Sequence, residues 1–105
     1  MRRFIASALL VVGCAGKVPH PTSTQVGRAR ARWPDTTKES LENGRVLLIA
    51  RCSGCHELYP PAAYPATEWP ELVVDMTKRS KLSAAEAEAL VRYLVSVTEP
   101  AAPAP

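Results

Sequence analysis

Cys52-Ser53-Gly54-Cys55-His56 places two thiols and an imidazole within five consecutive residues. Each thiol can add across one vinyl group of a haem, and the imidazole that follows at once is then aimed at the iron. Ser53 and Gly54 are small enough to let the backbone turn against a porphyrin edge. The same Cys-x-x-Cys spacing also serves redox dithiols and half-sites for zinc. The zinc alternative has only Cys14 and His20 to complete its ligands, and both lie near the N-terminus. The dithiol alternative lacks the βαβ surroundings such a motif normally has. The expectation is one haem c, bonded to Cys52 and Cys55 and ligated by His56.

A sixth iron ligand must then come from elsewhere. Met76 is the only methionine besides the initiator. Its thioether is a soft, neutral donor that favours ferrous iron. The alternative for Met76 is packing, on one helix face with Leu72 and Val73. His20 would have to reach the iron from a distant segment.

The N-terminus points to export. Met1-Arg2-Arg3 is positive, and Phe4 to Val12 is a mostly apolar run of nine residues that ends at Gly13-Cys14. A spanning helix needs about 20 apolar residues, so this run reads as a secretory signal. A cysteine at the cleavage point resembles a bacterial lipoprotein signal over residues 1–13, with Cys14 lipidated; an ordinary signal peptide is the alternative. Three cysteines then divide into two thioethers and one anchor. The expected location is the periplasm, with the chain lipid-anchored to a membrane. Ala15 resembles lipoproteins bound for the outer rather than the inner membrane.

Charge excludes one class of partner. The full chain carries +3, but Arg2 and Arg3 would leave with the signal, and residues 35–99 hold 7 basic and 10 acidic side chains. No basic-and-aromatic pattern of a nucleic-acid module occurs.

Residues 14–34 are rich in proline, glycine and polar side chains and read as a flexible tether, with Arg28, Arg30 and Arg32 alternating along it. Residues 35–99 form one small domain, and Pro100 to Pro105 a proline and alanine tail. A core of some 65 residues usually needs a staple, which a doubly bonded porphyrin supplies. The coarse pattern is helical. Thr36-Thr37-Lys38-Glu39 suggests a capping box for a helix to about Ala50, with Leu41, Leu48 and Gly44 or Arg45 on one face. Pro60, Pro61 and Pro65 make residues 57–68 a loop. A middle helix starts near Trp69-Pro70, and Ser83-Ala84-Ala85-Glu86 opens a last helix with Ala87, Leu90, Val91 and Leu94 on its apolar face.

Over residues 40–97 these features resemble class I mono-haem cytochromes c, in a small bacterial form. Gly44 stands eight residues before Cys52, as the helix glycine of that family does, and Leu48 takes the place of its following apolar residue. Leu90, Tyr93 and Leu94 resemble the C-terminal helix, whose aromatic packs near that glycine. Trp69 through Met76 resembles a subgroup in which a tryptophan and the methionine share a short helix. The resemblance implies an all-α cytochrome c fold, with three to four short helices around one covalently bound haem. It implies that a proline carbonyl, from Pro65 or alternatively Pro61, orients His56, and that Trp69 lies at the cofactor. With both axial positions filled by His56 and Met76, the implied activity is outer-sphere electron transfer between redox protein partners and not catalysis. Lys78, Arg79 and Lys81 either steer an acidic partner or form a solvated helix end. The alternatives are a haem-binding subunit of a larger complex, or a small haem sensor or peroxidase with a labile sixth ligand.

Overall fold

In the computed structural model, residues 18–52 and 60–100 are described, so Cys14, Cys55, His56 and the side chain of Cys52 lie outside what is described, as does the tail beyond Pro100. The elements are α1 (Ser23–Ala29), α2 (Lys38–Cys52), a 3-10 turn (Pro61–Ala63), α3 (Trp69–Ser80) and α4 (Ala84–Thr98). No strand occurs among the described residues, and no described helix is long and apolar enough to cross a membrane. The fold is all-helical, as the sequence pattern implies.

The centre of the fold is the pairing of α2 with α4. From α2, Leu41, Gly44 and Leu48 face inward; from α4, Leu90, Tyr93 and Leu94 do. Each fully buried leucine contributes about 1.5–3 kcal/mol. Close approach occurs at Gly44, where an added Cβ would stand 2.6 Å from Tyr93 Cβ and nearer still to the Ala89 carbonyl oxygen. Glycine costs about 1 kcal/mol against alanine inside a helix. Here it is what lets the two backbones cross.

The helix ends follow capping chemistry, with one shift in register. Ser83 and Glu86 close a capping box at the start of α4, as their spacing suggests. At the start of α2 the cap is Thr37, one residue later than the Thr36 to Glu39 pattern implies. Ser40 N–H donates to Thr37 Oγ1 at 3.0 Å, and Thr37 N–H donates to Ser40 Oγ at 2.9 Å. Thr36 is unavailable because its hydroxyl donates to the Trp33 carbonyl at 2.6 Å, closing a buried turn. Pro70 sits in the first turn of α3, where its missing N–H has no intrahelical partner to lose. That helix ends at Lys81 in the left-handed conformation (φ 52°), which redirects the chain into Leu82 and the α4 cap.

The expected tether over 14–34 is corrected for residues 18–34, which pack onto the domain. Thr22 and Gln25 form a complete capping box for α1. Val18, Val26 and Ala29 are buried, and the half-buried Trp33 packs against the same core. Tyr93 donates its phenolic hydrogen to the Pro19 carbonyl at 2.6 Å, and Arg45 Nε donates to the Val18 carbonyl at 2.9 Å. Burial pushes the Tyr93 phenol above its usual range, so it remains a donor at neutral pH. The three alternating arginines are also engaged. Arg28 reaches the carbonyls of Glu99 and Pro100, Arg30 that of Thr36, and Arg32 the carboxylate of Glu99. The domain therefore includes residues 18–34, because a small core gains apolar area from any segment that can cover α4.

Candidate functional site

Leu48 lies one helical turn before Cys52, at the C-terminal end of α2. At that place the structure has a cavity of about 700 Å³, counting the part open to solvent. Leu48, Tyr64, Trp69, Leu72, Asp75, Met76 and Arg79 line it.

Helix α3 supplies most of one wall. Trp69, Leu72, Met76 and Arg79 follow steps of three, four and three, so they share one stripe along the helix. Val73 points the other way into the core, at 1 % exposure, and fixes the rotation of α3. The Thr77 hydroxyl donates to the Val73 carbonyl at 2.7 Å, which keeps that side chain on its own helix. The start of the wall is tied down by the indole of Trp69, whose Nε1–H donates to the Pro61 carbonyl at 3.0 Å. Tyr64 meets the same indole edge to face, with ring centroids 5.3 Å apart.

Two expected site residues therefore line the cavity, Met76 and Trp69. Met76 is half-buried on the α3 stripe, with Leu48 lining the same cavity from α2. Pro65 is placed elsewhere. It is exposed, its carbonyl accepts from Glu68 N–H at 3.0 Å, and it lines a separate groove beside Arg28, Pro70 and Val95. Pro61 is buried behind Trp69, with its carbonyl already receiving the indole. The basic cluster divides as well: Arg79 lines the cavity, whereas Lys78 and Lys81 do not. Tyr64 and Arg79 are site residues that the spacing of the cysteines and methionine did not mark. Arg79 is one more step along the Trp69–Met76 stripe, but only the cavity marks it out from Lys78 and Lys81.

The lining fits a porphyrin with a soft iron ligand. Four aliphatic and aromatic side chains form the floor and walls, a thioether lines the same wall, and charge is confined to Asp75 and Arg79. An apolar pocket with few polar groups excludes water from a flat aromatic cofactor, and its one sulfur donor suits iron. Cys52, the first residue of the attachment motif, ends α2 directly above Leu48. No curated protein and no solved structure matches the chain. The family model described as dihaem cytochrome c matches residues 48–104, from Leu48 through the attachment motif, the α3 wall and α4 into the tail. That model covers more than half of the sequence, and it names a dihaem family where the motif pattern resembled mono-haem cytochromes. The chain thus belongs to the dihaem cytochrome c family and is a c-type cytochrome, a haem-based electron carrier rather than an enzyme.

Proposed function

We propose that this chain carries a single haem c and passes single electrons between redox proteins outside the cytoplasm, close to a membrane. The count of one rests on the sequence, in which Cys52 to His56 is the sole Cys-x-x-Cys-His and only Cys14 remains as a further thiol. Haem c supplies a one-electron iron couple when bound. Cys52 and Cys55 would hold it by thioether bonds, and His56 and Met76 would supply the protein ligands to its iron. Leu48, Leu72 and Trp69 keep water from the ring face and hold the Met76 wall at a fixed spacing. A site with both axial positions filled by protein has no place for a substrate, so its chemistry is transfer through an exposed edge.

The observation that carries this reading is Met76, the only methionine besides the initiator, on the wall of an apolar cavity that begins one turn before Cys52. The test is an optical spectrum of the exported protein after extraction with acidified acetone. Haem should remain on the protein. The oxidised form should show the weak band at the red end of the visible range that marks methionine ligation. Met76→Ala should remove that band and lower the reduction potential, while Met76→His should lower the potential and stay six-coordinate. If Met76→Ala changes neither spectrum nor potential, Met76 is packing alone, and a sensor or peroxidase with another sixth ligand replaces this reading.

Membrane placement rests on Cys14, and the packed N-terminal segment changes what that anchor would do. Only three residues separate Cys14 from Val18, which is buried in the core. Fully extended, that link spans at most about 14 Å. A lipid at Cys14 therefore holds the domain against the bilayer surface, with little freedom to swing between distant partners. Mass spectrometry of the mature N-terminus should show an acylated cysteine, and Cys14→Ser should release the domain from membranes. An unmodified mature N-terminus at another residue sinks this part of the proposal.

A further inference from the structure

The cavity has a charged end that electron transfer through the iron does not require. Along the α3 stripe, Trp69 and Leu72 are followed by Met76 and then by Arg79, so the wall passes from apolar to cationic toward the helix C-terminus. Arg79 is the only cation lining the cavity among the described residues. It also forms no ion pair among them, whereas Arg28, Arg30, Arg32, Arg45, Arg51 and Arg92 all bond to protein acceptors. Asp75 lies four residues earlier on the same wall and is not paired with it. A cation in this position has kept its guanidinium donors free at the mouth of a pocket built for an amphiphilic ring.

We propose that Arg79 is the counter-charge for a carboxylate on the ring periphery, a haem propionate, which it holds at the cavity mouth. This rests on the reading above, in which the cavity holds haem ligated by Met76. Arg79 stands one turn beyond Met76, so it can reach the edge of a ring whose iron Met76 faces. A guanidinium presents two parallel donors to a carboxylate, which fixes the geometry of the pair as well as its charge. The positive charge near the iron also favours the ferrous state. Asp75 acts in the opposite sense, since its carboxylate repels a propionate and favours ferric iron. The two residues form a pair of opposed adjusters of potential on one helix turn. Lys78 and Lys81, outside the cavity, are left for docking a partner.

The test uses the haem-loaded protein with Arg79→Gln, Arg79→Lys and Asp75→Asn. Arg79→Gln should lower the midpoint potential and shift the propionate bending band in the resonance Raman spectrum, with the methionine band and helix content unchanged. Arg79→Lys should restore most of the potential but not the Raman band, because one ammonium cannot replace the paired donors. Asp75→Asn should raise the potential. The inference is overturned if Arg79→Gln leaves potential and propionate band as they were. It is equally overturned if that variant alters only the salt dependence of electron transfer to an acidic partner, which would make Arg79 a docking cation. Loss of haem from the unmutated protein on acid extraction, or absence of its methionine band, would instead bring down the reading of the cavity itself, and this inference with it.

Discussion

Gly44 and Leu48 lie on one face of α2, four residues apart, yet the packing around them obeys opposite rules. At Gly44 a side chain is missing, and α4 comes so close that even a methyl group has no room. At Leu48 the facing helix is α3, which packs on α4 and stands away from α2 across the cavity. One helix thus makes a tight joint and an open jaw within a single turn. The joint fixes where Cys52 emerges. The jaw sets how far away Met76 stands. The haem proposed above, bonded to one side and ligated from the other, would need both: a rigid reference and a gap of defined width.

The sharpest way to break this comparison is to fill the joint. Gly44→Val should destabilise the holoprotein by about 3 kcal/mol or more, since the new side chain meets backbone that cannot rotate away. Gly44→Ala should lose about 2 kcal/mol, even though alanine favours a helix. Thermal unfolding measures both. A rise in melting temperature for Gly44→Ala would mean the crossing is looser than described, and the contrast with the jaw would disappear.

On the open side, the expected losses are smaller and their character differs. Trp69→Phe removes the indole donor to the Pro61 carbonyl and should cost about 1–2 kcal/mol by urea unfolding. Because Trp69 begins the α3 wall, the same variant should broaden the optical bands of the bound cofactor. Unchanged stability together with unchanged bands would show that the wall does not depend on this tie.

The smallest effect lies at the cap that orients α4 for both regions. Ser83→Ala should cost about 1 kcal/mol. Glu86 carries an acid signature at this cap. The Ser83 backbone N–H first, and then its side chain, hold the Glu86 carboxyl below its ordinary range. A depressed carboxyl stabilises the fold fully above its unfolded value, near pH 4.5, and that stability is lost as the pH falls through the lower folded value. Glu86→Gln should therefore flatten the fall in melting temperature between about pH 5 and pH 3. An equally steep fall in the variant would assign acid lability to other groups.

How much could be read from the chain differs between elements, for identifiable reasons. Ser83 to Glu86 and Trp69-Pro70 mark helix starts correctly because caps and first-turn prolines act within four residues. Thr36 and Thr37 could not be told apart by pattern, since what removes Thr36 from capping is a turn bond to Trp33. Residues 18–34 look like a linker by composition. Their Thr22 to Gln25 box was a readable signal, but Val18 and Val26 are buried by helices far along the chain. Of the site, Met76 was legible as the sole available sulfur, and Arg79 only once the α3 stripe had been laid against the cavity.

The local features were legible in the chain alone: the Cys-x-x-Cys-His spacing of Cys52, Cys55 and His56, the helical starts, and the glycine that a close crossing demands. These depend on residues near one another in the chain, where covalent geometry and single hydrogen bonds decide. That residues 18–34 pack on the domain, that Pro65 lies away from the cavity and that Arg79 lines it could come only from the assembled fold. Each of those depends on how α1, α3 and α4 rotate against one another. That rotation follows from burying Val18, Val73 and Tyr93 together, a choice made by packing over the whole molecule and written in no short stretch of residues.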